Sequence, residues 1–196
     1  MPTTTWTNSP QCIAPPSPAV TVVGALMAVW CGAFAAINVS FEITNKFASG
    51  SHAAEADALS VANWYVVVVK LVGVAAAVLA VTKAPGFLRP SVVGTLLWAA
   101  FATVGIYVVG SIAQVVTMLI GGADAVERLG PAAAGYVFAF LLAAAGFWVL
   151  AASYAKRAGL GRREVVLGLS GGPLILGSIL VVLPAVLRAV GVLSSG

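Results

Sequence analysis

The chain has 196 residues, 61% of them hydrophobic and 8% charged, with a net charge of +4 and a mean hydropathy of +1.05. Soluble domains carry about a quarter charged residues, so this composition cannot clothe a water-facing surface. Disorder is excluded for the opposite reason, an excess of apolar side chains, which leaves an all-α polytopic membrane helix bundle.

Residues 1–18 carry no charge and hold Pro2, Pro10, Pro15, Pro16 and Pro18, so they read as an irregular polar tail. The tail lacks the basic n-region of a signal peptide, and the run after it exceeds a signal h-region, so it reads as a retained span. A hydrocarbon core of about 30 Å needs roughly 20 apolar residues as a helix. Five runs meet that length, at 19–41, 61–81, 92–120, 132–154 and 165–190, followed by a short tail at 191–196. They are too long, and alternate too little, for strands of a membrane barrel. Pro18 can open the first helix. Pro85-Gly86, Arg89-Pro90, Gly121-Gly122, Gly130-Pro131 and Gly159-Leu160-Gly161 punctuate the breaks.

The loops alternate in charge. The first sets Lys46 against Glu42, Glu55 and Asp57, and the third sets Arg128 against Asp124 and Glu127. The second holds Lys83 and Arg89, and the fourth Lys156, Arg157, Arg162 and Arg163 against Glu164. Basic residues concentrate in cytoplasmic loops. Loops two and four are therefore expected inside, with the N-terminus inside and the C-terminus outside. Those same basic residues form no stripe interleaved with aromatics, so nucleic acid is not an expected partner.

Two cysteines, Cys12 and Cys31, and one histidine, His52, cannot supply a four-ligand zinc site or a bis-histidine haem. No metal, no cofactor and no thiol–disulfide exchange is expected. Gly168-Leu169-Ser170-Gly171 resembles the G-x-S-G of rhomboid intramembrane proteases. Its histidine base is missing, because His52 is assigned to the opposite side from Ser170. Ser170 is read as a small packing residue, and no catalytic residue is assigned.

Membrane helices associate through close contact favoured by small residues four apart. Gly24, Ala28, Gly32 and Ala36 form such a row and are the expected packing face of the first helix. Shorter rows are Gly135/Ala139/Ala143 and Gly168/Gly172. Trp64, Tyr65 and Tyr136 suit an outer aromatic belt, and Trp148 and Tyr154 an inner one. Gly171-Gly172-Pro173 and Pro184 are expected to kink the fifth helix.

Ionisable residues inside a membrane are costly, and each is a functional hypothesis. Lys70 lies within a valine run, about 8 Å below Tyr65 at 1.5 Å per residue. Asn38, Glu42 and Asn45 share a face on the first helix, Tyr107, Ser111 and Gln114 share one on the third, and Arg188 ends the fifth on the same side. Asn38, Glu42, Lys70, Gln114 and Arg188 thus form a candidate polar cluster, with Glu42 as the expected counter-ion of Lys70. Snorkelling and interhelical hydrogen bonding are the plainer reading.

The Ala-, Gly- and Val-rich composition resembles that of integral membrane proteins of high-GC bacteria, which implies a multi-pass protein of the plasma membrane. The expected role is a non-catalytic accessory subunit of a larger membrane complex, with lipids and other membrane subunits as partners. The alternative is a small-solute or lipid transporter or binding component with a polar site in the outer half of the bilayer.

Overall fold

A computed structural model describes residues 13–48, 53, 56–83, 88–120 and 131–189, and among them every regular element is helical. Helix α1 runs Pro18–Ile43, α2 Ala56–Val81, α3 Pro90–Ile120 and α4 Pro131–Ala158. Each of these four contains a stretch long and apolar enough to cross a membrane, the mark of a multi-pass membrane protein. Cys12, His52, the acidic residues of the third loop and both chain ends lie outside the described residues.

Local chemistry sets the helix ends. Ser17 caps α1, its Oγ accepting from the Val20 N–H at 3.4 Å, and Pro18 follows at the first helical position, where no N–H is needed. At the other end Thr44 and Asn45 donate back to the Ser40 and Glu42 carbonyls. Asn45 is left-handed there, with φ 50°. It belongs to this cap and not to the helix face of Asn38 and Glu42 on which a continued helix would place it. Gly159 adopts φ 62° after α4, and the Leu160 N–H reaches the Ala155 carbonyl at 3.0 Å. That bond is the six-to-one closure of a Schellman turn, which glycine makes at least steric cost.

The last apolar run forms a rod in three pieces: α5 at Arg162–Gly177, a π-helical turn at Ser178–Val182, and α6 at Leu183–Ala189. At 16 residues, α5 spans about 24 Å at 1.5 Å per residue, short of a bilayer core. Pro184 supplies the interruption: it lacks an N–H, and its ring displaces the carbonyl four residues earlier, which the widened turn accommodates. Pro173, inside α5, removes a second hydrogen bond without ending the helix.

Helix α1 pairs with α2, α2 also meets α3, and α4 packs on α1, α2 and α3, while α5 lies along α3. The core is contributed by α1 to α4: Met27 and Cys31, Ala76, Ala77 and Ala80, Val93 and Leu97, and the α4 stripe Ala143, Phe147, Leu150, Ala151 and Tyr154. That stripe has helical spacing and faces inward along its length. Between helices in lipid, water exclusion contributes little, so close contact has to supply the cohesion. Alanines buried to 0–1% exposure at residues 76, 77 and 80 let the α2 backbone approach its neighbours.

The same logic governs α5. A Cβ added to Gly168 would meet the Thr95 carbonyl and the Trp98 side chain, and one at Gly172 would meet the backbone of Ala102 and Thr103. Gly168 and Gly172 are buried, so two glycines four apart let α5 lie against the α3 backbone. Ser170, between them, faces outward and donates to its own Leu167 carbonyl at 2.9 Å.

On α1 the buried face is Gly24, Met27, Cys31 and Ala35, not the whole row Gly24, Ala28, Gly32 and Ala36. Gly24 sits against Val81 and Ala28 is partly buried on the core. A Cβ added at Gly32 would meet nothing within 4 Å, and Ala36 is exposed. The reason is geometric. At 3.6 residues per turn, each step of four advances about 40° around the helix. A strict four-residue row therefore turns by about 120° over three steps, whereas alternating steps of three and four stay on one side.

Candidate functional site

One antiparallel register runs the length of the α1–α2 pair. Gly24 faces Val81 and Cys31 faces Gly73 toward one end, and Glu42 faces Ser60 and Asn63 at the other. Polar residues in that register form a ladder. Ser60 Oγ donates to Glu42 Oε2 at 2.7 Å. Asn63 Nδ2 donates to Glu42 Oε1 at 2.6 Å and to the Asn38 carbonyl at 2.9 Å. Lys70 Nζ donates to Asn38 Oδ1 at 3.3 Å and to the Phe34 carbonyl at 3.4 Å, and lies 5.1 Å from the Phe34 ring centroid.

This arrangement revises the expected cluster. Asn38, Glu42 and Lys70 do come together, but Glu42 is not the counter-ion of Lys70. Its carboxylate is taken up by Ser60 and Asn63, about two to three turns away along α2. The Asn38 amide stands where a charge partner was expected. Gln114 is exposed on α3 and does not join the ladder. The Arg188 side chain lies outside the described residues. Asn63 and Ser60 lie outside the expected cluster, and Asn63 is 8% exposed, a buried polar side chain. The signal was their spacing on α2: positions 60, 63 and 70 lie within about 80° of one another around the helix.

The aromatic residues divide differently from the expected belts. Trp64 and Trp148 face outward, about half exposed, as belt residues would. Tyr154 is instead 2% exposed, because it falls on the inward stripe of α4. Tyr65 turns inward to share a hydrogen bond with Ser178 Oγ at 2.7 Å, joining α2 to the π-helical turn. Tyr136 is 45% exposed, yet its ring stacks 4.8 Å from Phe140 and 6.3 Å from Tyr107. With Trp30 and Phe34 these rings make a continuous aromatic wall.

That wall bounds a cavity of about 570 Å³. Near the turn that joins them, α2 and α3 are closed by Ala76, Ala77, Ala80, Val93 and Leu97. Further along, the space between them is lined by Val66, Val69 and Val72 of α2, Leu96, Ala100 and Val104 of α3, and Ile175, Leu176 and Ile179 of the last rod. The lining is overwhelmingly apolar. Among the described residues Lys70 is the one charged residue in it, joined by Asn38, Tyr65, Thr103, Tyr107 and Tyr136. Thr103 is already bonded to its own Ala99 carbonyl at 2.8 Å. Trp30 also lines the space, and its Nε1–H is buried without an acceptor.

A second polar feature lies at the opposite end of α4. Arg157 Nη2 donates to the Ala80 carbonyl at 2.7 Å, and Nη1 to the Ala14 carbonyl at 3.1 Å. Ala80 is in the last turn of α2, where carbonyls lack helical partners. Arg157 therefore caps α2 and ties down the segment leading into α1, while Ile13 packs on the core beside it. Arg157 reads as a loop charge in the sequence, and the structure gives it this tethering role.

Among the described residues no group of His, Cys, Asp and Glu could hold a metal ion. Comparison with protein-family models, with curated proteins and with solved structures finds no match.

Proposed function

We propose that the protein is a membrane-embedded binding component for a small apolar or amphipathic molecule, a part of a transport or carrier process. The observation that carries this reading is the cavity between α2 and α3. Its volume of about 570 Å³ falls within the roughly 300–1,000 Å³ of small-molecule sites, and an apolar lining with a few convergent polar groups is their usual make-up. Loop charge supports a plasma-membrane arrangement in which the cavity, lined by residues 65–73 of α2 and 96–107 of α3, lies around mid-depth. It places the second and fourth loops in the cytoplasm and counts α5, the π turn and α6 as a fifth crossing. A kinked rod that kept its full length of 28 residues, Arg162–Ala189, would reach about 42 Å at 1.5 Å per residue, ample for that crossing.

The test is retention of a ligand. The full chain, extracted in mild detergent and examined by native mass spectrometry, is expected to carry or take up an apolar molecule. Val104→Trp, which fills the space from α3, is expected to lose it with helicity and elution volume unchanged. A wild-type protein that binds no apolar probe refutes the reading. Alkaline phosphatase fused after Gly196 is expected to be active, and a silent fusion would refute five crossings.

A second reading, an accessory subunit of a larger complex, draws on Gly32 and Ala36. Both lie on the outward side of α1 and are open, so a helix packed on them would come from another chain. Stable co-migration with larger subunits in the same purification supports that role.

A further inference from the structure

We infer that the occupant of the cavity is a single-chain amphiphile with a carboxylate head, and that Lys70 is the residue that binds the head. This inference rests on the binding role proposed above and names the chemistry of the ligand. Buried charges are ordinarily paired, and intramembrane lysines ordinarily face an acid or a backbone carbonyl. Among the described residues no carboxylate lies within ion-pair distance of Lys70, since Glu42 is engaged by Ser60 and Asn63. Its two acceptors, the Phe34 carbonyl and Asn38 Oδ1, are neutral and stand at 3.4 and 3.3 Å. Charge-assisted N–H···O bonds to an anion close to about 2.7–2.9 Å. The ammonium is therefore loosely held, on the wall of a space large enough to admit its missing partner. A lysine donor with, among the described residues, no acid in the lining selects an anionic head over a cationic one.

The rest of the lining selects the tail. Val69, Val72, Leu96 and Val104 present hydrocarbon and no further charge. About 570 Å³ holds on the order of twenty water-sized groups at about 30 Å³ each. That suits one acyl chain with its head, so the occupant is taken as a free fatty-acid-like carboxylate.

The test uses the full-length protein in neutral lipid nanodiscs at matched loads of three diazirine probes: a sixteen-carbon fatty acid, the corresponding alcohol, and a two-chain anionic phospholipid. Cross-linked residues are mapped by mass spectrometry. The fatty acid is expected to label the segments lining the cavity on α2 and α3 at least tenfold more than the alcohol or the phospholipid. Lys70→Met is expected to abolish the preference for acid over alcohol, and Lys70→Arg to retain it. Equal labelling of the cavity by acid and alcohol overturns the charge assignment and leaves the binding reading standing. Preferential labelling by the phospholipid overturns the single-chain assignment. Labelling of the cavity by none of the three overturns both this inference and the binding reading. The wild-type comparison decides the matter even if the Lys70 variants fail to fold.

Discussion

Asn63→Leu separates a packed α1–α2 ladder from a polar side chain that merely faces lipid, because the two predict opposite signs. If Asn63 faced hydrocarbon, leucine would stabilise the protein. In the structure Asn63 is 8% exposed and its Nδ2 bridges Glu42 Oε1 at 2.6 Å and the Asn38 carbonyl at 2.9 Å. Interhelical hydrogen bonds in membrane proteins contribute about 0.6 kcal/mol on average and up to about 1.7. The short bond to Glu42 belongs near the upper figure and the bond to Asn38 near the mean. The expected loss is therefore about 2 kcal/mol, on the order of thirtyfold in the unfolding constant.

A double-mutant cycle isolates the pair. Glu42→Met removes the acceptor, and Glu42→Met with Asn63→Leu removes both partners of that bond; the Ser60 hydroxyl loses its acceptor in both Glu42 variants, so that loss cancels in the cycle. The double variant is expected to be about 1 kcal/mol more stable than the sum of the single losses predicts. Unfolding in mixed micelles of increasing SDS fraction, followed by far-UV circular dichroism, gives all four stabilities. Additivity within about 0.5 kcal/mol, or stabilisation by Asn63→Leu alone, would refute the ladder.

Arg157→Met is expected to cost about 1.5–3 kcal/mol, the range for hydrogen bonds to charged groups, and to speed amide exchange in residues 13–17 and the last turn of α2. Arg157→Lys should restore little, because a single ammonium cannot reproduce the two-pronged contact to Ala80 and Ala14; full rescue by lysine would show that charge alone matters there. Gly168→Val, which forces a side chain into Trp98 and the Thr95 carbonyl, should destabilise by about 1–3 kcal/mol. Gly32→Ala, with open space around it, is expected to be neutral or slightly stabilising by helix propensity, so equal effects in the same unfolding assay would contradict the α3–α5 packing.

The helices were legible in the sequence because the bilayer imposes length and polarity on any span, and those properties are visible in a linear run. Pro18, Pro90, Pro131 and Gly159 stand at helix ends, but α2 opens at Ala56 and α4 runs on to Ala158, beyond the expected runs 61–81 and 132–154. Which face of each helix turns inward was much less legible. In lipid both faces of a helix are apolar, so the pattern that reveals the core of a soluble helix is nearly absent. A four-residue row of small side chains then misleads by its steady drift, as on α1, where the buried face passes from Gly24 to Met27, Cys31 and Ala35. On α4 the same blindness put Tyr154 in a belt, although it shares a stripe with Phe147 and Leu150.

The site fails to read out for a related reason. Lys70 stands out in any sequence scan, and pairing it with the nearest acid is reasonable electrostatics. The pairing depends on the register of α1 against α2, which is set by packing at the far end of the hairpin, where Gly24 meets Val81 and Cys31 meets Gly73. That register puts Glu42 level with Ser60 and Asn63, and it puts Lys70 level with Phe34 and Asn38. Neutral groups therefore come to surround the lysine through the packing of small residues several turns away. The missing acid follows from this same register, and so does the expectation that an incoming carboxylate will complete the pair.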